Sequence, residues 1–339
     1  MPNFQDHSVG FAKEVTFGTA LAPTRWLEFT NPAPFKPTLG IKQGSGIRPG
    51  RRVARSGRRV TTLRGASGPI NVELFSKGLG LLLELAFGSA TSTMVSGSTY
   101  QQSFKFADVL GSACVQFGIA NADGTITAHT YPGAVIESWE LAGAVGDIAT
   151  LNTTWDAREL NTALAYSSPS YPAGGSLYLI QSAALYTGTI TAPTNSALAV
   201  TTAATEIASV KSFKVGVNNT LAKDRYFASS GGKKSKQLAG TRVPTVEVVA
   251  EYGANALRDA WLNQTEMTLV IRMETETALS VGVETFEIYI PCLKIDDDPL
   301  PSSSGADAIA EQTISFAVLD NLTAADPMVV SVRTSDTAL

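Results

Sequence analysis

Apolar residues recur at every second position along most of this chain, the period of strands with one buried face. Pro69–Phe75 sets Ile70, Val72 and Leu74 against Asn71 and Glu73. Trp26–Phe29, Ala134–Ala142, Ile148–Trp155, Val210–Val217, Thr245–Tyr252, Met267–Met273, Thr285–Leu293 and Thr313–Val318 follow the same style. Two stretches break it and predict short helices. Lys77–Phe87 is apolar along a broad face and is followed by Gly88, a suitable C-cap. Ala254–Asn263 places Leu257, Trp261 and Leu262 on one face, with Arg258 and Asp259 outside. The expected fold is mainly β with short flanking helices.

The order of these elements repeats. In the first half a strand at Trp26–Phe29 leads through a Gly- and Arg-rich stretch to Pro69–Phe75, then to the helix Lys77–Phe87. A strand opened by Tyr131-Pro132 and the strand Ile148–Trp155 complete it. The second half runs Val210–Val217, a Gly- and Lys-rich stretch, Thr245–Tyr252, the helix, a strand around Ile290-Pro291, and Thr313–Leu319. This predicts two tandem domains, residues 1–165 and 205–339. A Ser/Thr/Ala/Pro-rich connection over 166–204 joins them, with one β-like segment within Ser176–Thr187.

Composition narrows the function. Of 339 residues, 44% are hydrophobic but only 17% are charged, against about a quarter in ordinary soluble domains. Ser, Thr, Ala and Gly fill the difference, which suits surfaces that bury against copies of themselves. A net charge of −4 argues against a dedicated nucleic-acid binder. Cys114 and Cys292 lie far apart and form no C-x-x-C pair, so two free buried thiols are expected. Met1–Asp6 carries neither the basic nor the apolar region of a secretory leader. The apolar run Leu79–Phe87 is too short to span a bilayer. A cytosolic chain without membrane contact is expected.

The strongest local feature is the stretch 36–64. It carries Lys36, Lys42, Arg48, Arg51, Arg52, Arg55, Arg58, Arg59 and Arg64, with no acidic residue between Glu28 and Glu73. Five glycines, with Gly65 just beyond, and Pro37 and Pro49 exclude a helix. The stretch is too long for a simple hairpin turn and is expected to stay mobile until it docks. Three readings compete. A nucleic-acid arm would use the arginines against phosphates, but the stretch has no aromatics for base stacking. A solvated surface loop is the second. The third, preferred here, is an assembly arm docking on acidic surface of another copy: Asp296, Asp297 and Asp298, or the carboxylates of Glu137, Glu140 and Asp147. A smaller loop at 228–243, with Lys233, Lys234 and Lys236, is expected to act likewise.

Catalytic chemistry has little to build on. His7 and His129 have no nucleophile or orienting acid beside them in sequence. Asp296–Asp298 lacks the alternating ligands and glycine of a calcium loop. Gly78-Leu79-Gly80 lacks the third glycine of a dinucleotide fingerprint. No catalytic, cofactor-binding or metal-binding residue is assigned, and the chain is expected not to be an enzyme.

Several segments, taken in order, resemble the major tail tube proteins of long-tailed, non-contractile (siphovirus-type) bacteriophages. They are Gly18–Phe29, Gly50-Arg51-Arg52-Val53-Ala54-Arg55-Ser56, and Gly65-Ala66-Ser67-Gly68 leading into Ile70–Glu73. Tyr131-Pro132 running to Leu141, Asp224-Arg225-Tyr226, and Ile290-Pro291 continue the series. The resemblance implies tandem β-sandwich or barrel-like domains with a flanking helix, and rings stacked into a tube through which DNA passes without specific binding. One-domain members of that family form hexameric rings, so a two-domain chain implies a trimeric pseudo-hexamer, favoured here over a hexamer. It also implies a tape-measure protein and tail-end proteins as partners, and a virion tail assembled in the bacterial cytoplasm. The basic arm would then reach the adjacent ring. The rival reading, a carbohydrate- or host-binding β-module of a virion, predicts clustered exposed aromatics. Trp26, Trp139, Trp155 and Trp261 instead fall within strand or helix patterns.

Overall fold

A computed structural model describes residues 4–30, 33–50, 52–253, 255–301, 309–337 and 339. Met1–Asn3, Arg51 and Ala254 therefore lie outside the described residues. The first half contains β1 (Ser8–Lys13), β2 (Arg25–Leu27), β3 (Lys36–Gln43), β4 (Arg59–Glu73), α1 (Gly80–Phe87), β5 (Gly88–Ser96), β6 (Thr99–Phe106), β7 (Ala113–Ala120), β8 (Ile126–Ala144) and β9 (Thr150–Ala157). The second contains β10 (Ala183–Thr191), β11 (Val200–Glu206), β12 (Val210–Asn218), β13 (Val243–Glu251), α2 (Ala256–Leu262), β14 (Met267–Ala278), β15 (Val283–Ile295), β16 (Glu311–Val318) and β17 (Val329–Thr334). The fold is mainly β, and the ladders between these strands are antiparallel.

The pairing order is duplicated. In the first half it runs β3-β4-β9-β8-β7-β1, with β2 on the far side of β1. In the second it runs β12-β13-β16-β15-β14-β10, with β11 beyond β10. Each half places its helix after the strand at the same point, α1 after β4 and α2 after β13.

Even an irregularity recurs. Pro132-Gly133 bulges out of β8 between the pairs Val115↔Tyr131 and Ala113↔Ala134. Pro291-Cys292 does so in β15 between Leu269↔Ile290 and Met267↔Leu293. A proline has no N–H for the ladder, so it settles where a strand bulges. At both places the strand then changes neighbours, β8 gaining β9 from Val135 and β15 gaining β16 from Leu293.

The halves are stitched together. β12 pairs with β8 over residues 138–144, and β17 bridges β15 to β6. One apolar cluster runs through both, from Val9 and Phe11 to Val330 and Val332. α1 is buried nearly all round, as a sequence that is apolar except at Glu84 requires, and Gly88 ends it in the left-handed region at φ 95°. In α2, Leu257, Ala260 and Trp261 pack on the core, but Leu262 is 64% exposed and does not share their face. The stretch 36–64 is not one continuous loop, since it contains β3 and the start of β4. The connection 166–204 contains β10 and the first part of β11.

Candidate assembly interface

β3 and the first part of β4 form a protruding hairpin, with Leu39↔Arg64, Ile41↔Thr61 and Gln43↔Arg59 in register. The root of β4 is anchored by β9, whose ladder covers Ala66–Glu73 and stops there. Beyond the root the two strands pair with each other, and a short 3-10 turn at Ser56–Arg58 shapes the tip. The ribbon forms despite its glycines because the chain closes its own backbone bonds. At the tip, for example, the Gly44 N–H donates to the Arg58 carbonyl at 2.9 Å.

Both faces of this ribbon are open. Seven of the eight residues of β3 are exposed, including Leu39 at 53% and Ile41 at 45%, and Val60 and Leu63 on β4 are exposed too. A lone two-stranded ribbon is marginal in water, and one that displays apolar side chains on an edge invites a partner. Its charge is one-signed. Lys36, Lys42, Arg48, Arg52, Arg55, Arg58 and Arg59 form no ion pair among the described residues, and Arg64 approaches Glu159 only to 3.9 Å. Among the described residues β3 pairs with β4 alone, which leaves its outer edge without a strand.

The counterpart of the hairpin is the segment between β12 and β13. Residues 39–64 and 219–242 occupy the same place in the two pairing orders and are nearly equal in length. The second segment does not protrude; it folds over the first half. Lys234 Nζ lies 2.7 and 3.0 Å from the Asp156 carboxylate oxygens, and Gln237 Nε2 donates to the same carboxylate at 2.7 Å. Lys233 pairs with Glu159 at 2.6 Å and Lys223 with Glu137 at 2.5 Å. Bonding to Glu137 holds the Lys223 ammonium above its ordinary range against the opposing effect of burial. Asn219 donates through Nδ2 to the Ile136 carbonyl at 3.1 Å.

These pairs revise the part given to the second loop. Lys233 and Lys234 are engaged inside the chain, and Lys234 is buried, so neither is a free cation for another copy. Lys236 remains half-exposed, its carbonyl accepting from Arg225. Asp156, Glu159, Asn219 and Gln237 carry the contact, and sequence reasoning missed them. The near-equal length of the two loops, which would have pointed there, emerges only once the strand registers are aligned.

Asp296, Asp297 and Asp298 follow directly on β15 and are exposed. The Asp296 N–H donates to the Ser315 carbonyl at 2.9 Å, and the Asp298 carboxylate accepts the Leu300 N–H at 2.9 Å. No ion pair engages the three carboxylates among the described residues, and no hydrogen bond or ion pair joins them to the hairpin of the same chain. Glu137 is paired to Lys223, while Glu140 and Asp147 are exposed.

Among the described residues no group of three or more His, Cys, Asp or Glu side chains is placed to hold a metal ion. Cys114 and Cys292 are free and buried, and burial pushes the Cys114 thiol up to about 11, which keeps it unreactive. Trp139 and Trp155 are buried and Trp26 and Trp261 half-buried, so the tryptophans form no exposed cluster. No helix among the described residues is long and apolar enough to cross a membrane. Among known proteins, a family model described as phage tail tube protein matches residues 5–318. No curated protein matches the chain.

Proposed function

The chain belongs to the phage tail tube protein family, a structural constituent of the bacteriophage virion, and from that premise we propose that it is the subunit of stacked rings in a siphovirus-type tail. The rings form the conduit for genome delivery, and the protein's part is structural, without catalysis. The observation that carries this reading is the duplicated pairing order ending in an open β3 edge beside a one-signed, exposed hairpin. A surface of that kind is completed by another copy of the same chain. Contacts between different patches of successive copies close into rings or run on as filaments.

Two pairing units per chain favour three copies per ring, a trimeric pseudo-hexamer. The tape-measure and tail-end proteins are its further partners. Phage DNA passes through the lumen without specific binding, in keeping with the net negative charge. Assembly takes place in the bacterial cytoplasm and needs no membrane. Negative-stain electron microscopy of the purified protein is the test. Rings or tubes with a central hole, threefold in class averages, are expected; stable monomers at high concentration would overturn the proposal.

A further inference from the structure

The chain carries the parts of two seams and closes one of them. In the first half β8 runs on past its proline bulge to Ala144, and residues 138–144 take β12 as a neighbour. The duplication makes β3 the counterpart of β12, and β15 the counterpart of β8. Two pieces remain without each other: the outer edge of β3, and the segment Asp296–Leu300 that continues β15 where β8 continues toward Leu141. Among the described residues β3 pairs with β4 alone, and Asp296–Leu300 meets a strand only on its β16 side, through the Asp296 N–H on the Ser315 carbonyl.

We propose that these pieces meet between two copies. β3 of one copy lies along Asp296–Leu300 of the next, and the basic hairpin folds over the second half of that copy as residues 219–242 fold over the first half of their own chain. This rests on the ring-subunit reading. It places the hairpin sideways, within a ring, in place of the adjacent ring.

The charges at the closed seam supply the pattern. There Lys223 meets Glu137 and Lys233 meets Glu159, cations from the loop on carboxylates along β8 and just beyond β9. In the second half the Asp296–Asp298 turn stands in the place of Glu137, and Asp320 stands beyond β16 as Glu159 stands beyond β9. All four aspartates are exposed and unpaired with any cation among the described residues, facing the need of a hairpin that holds cations and no acid. Exposed apolar side chains lie on both sides as well, Leu39 and Ile41 on the hairpin, Leu300 and Leu319 beside the aspartates.

The two halves differ at the position of the buried carboxylate. Ala317 occupies the position of Asp156, so the buried Lys234 pair has no equivalent. The outer seam depends on exposed charges, which salt screens. Pro37 removes one donor from β3, which blunts that edge against indiscriminate pairing while it waits.

The experiment uses the full chain with Thr38→Cys and Asp297→Cys together, treated with a short bis-maleimide and read on denaturing gels beside electron microscopy. Both native cysteines are buried. A seam within a closed ring gives covalent products that end at the ring number, three, while each single variant stays monomeric on the gel. A ladder extending past that number marks a stacking contact and overturns the proposal. So does the absence of cross-links from preparations whose micrographs show rings. If the unsubstituted protein forms no rings, the ring-subunit reading itself fails, before any cross-link is read. In a second arm, Asp296, Asp297 and Asp298 are all changed to Lys, and assembly is expected to be lost. Adding Lys36→Glu, Lys42→Glu and Arg48→Glu should restore it; continued failure of a folded sextuple variant to assemble counts against the seam.

Discussion

Lys234 and Asp156 meet across the two halves of the chain, the ammonium 2.7 Å from one carboxylate oxygen and 3.0 Å from the other, with side-chain exposures of 8% and 5%. At that depth the pair's stability effect comes less from mutual attraction than from what remains when one member goes. Asp156→Leu strands a buried cation, and the expected loss is about 3–5 kcal/mol of unfolding free energy. Adding Lys234→Met removes the stranded charge and should recover most of that loss. Urea denaturation of the two single variants and the double variant measures the coupling. Additive losses would mean that the pair is not a unit.

Backbone strain offers a second, independent check. Gly133 sits in the β8 bulge at φ 67°, and a Cβ there would come within 2.8 Å of the Phe17 ring and 2.9 Å of Arg158. Gly133→Ala is expected to cost about 1–3 kcal/mol, since strain and crowding add at one site. Gly57, at the hairpin tip, has nothing within 4 Å of the same added atom. Gly57→Ala should stay within about 0.5 kcal/mol of the parent. Thermal melts of the two variants make the comparison directly.

His129 on β8 sets a pH dependence. Burial disfavours its charged form and lowers its pKa below the ordinary value of 6.5. Unfolded chains therefore take up the proton first. The stabilising contribution is present above 6.5 and is lost as pH falls from there through the lowered folded value. Denaturation midpoints should drop over that window in the parent and less in His129→Gln. Equal slopes in the two proteins would exclude His129 as the source.

Removing residues 42–59 shortens the hairpin while keeping Lys36–Ile41 and its partners on β4. None of the described residues in the deleted segment belongs to the core. The variant is expected to keep the parent's circular dichroism and melting temperature but to scatter no more light than a monomer. Tubes of normal appearance from this variant would mean that the hairpin is not an assembly contact.

Much of the fold was legible because burial is one-sided. β13 alternates faultlessly, with Val246, Val248 and Ala250 inside, and its period marks it as a strand at once. β6 hides for the opposite reason: Gln101, Gln102 and Ser103 are all buried, so polarity no longer reports the inner face. The two glutamines find partners that only the folded chain brings near, the Thr194 and Ala197 carbonyls for Gln101 and the Asp336 carbonyl for Gln102. β3 fails the pattern because neither face is buried, and its glycines and proline read as loop although its backbone closes a ladder with β4. The basic hairpin was conspicuous from charge alone. The second loop misled on the same ground, for Lys234 looks like a surface cation and is a core one. What separates the two is a carboxylate seventy-eight positions away, a distance over which local pattern carries no information.

The seam between β8 and β12 has a consequence for how such copies respond to dilution. Because both strands belong to one chain, its closure is a unimolecular event with a high, fixed effective concentration. In a ring built as proposed, every second seam is of this kind, and its occupancy is independent of how much protein is present. The alternate seams, at the β3 edge, carry the whole cost of lost translational and rotational freedom. Lowering protein concentration therefore opens the ring only at those joints, releasing chains whose own internal seam stays shut.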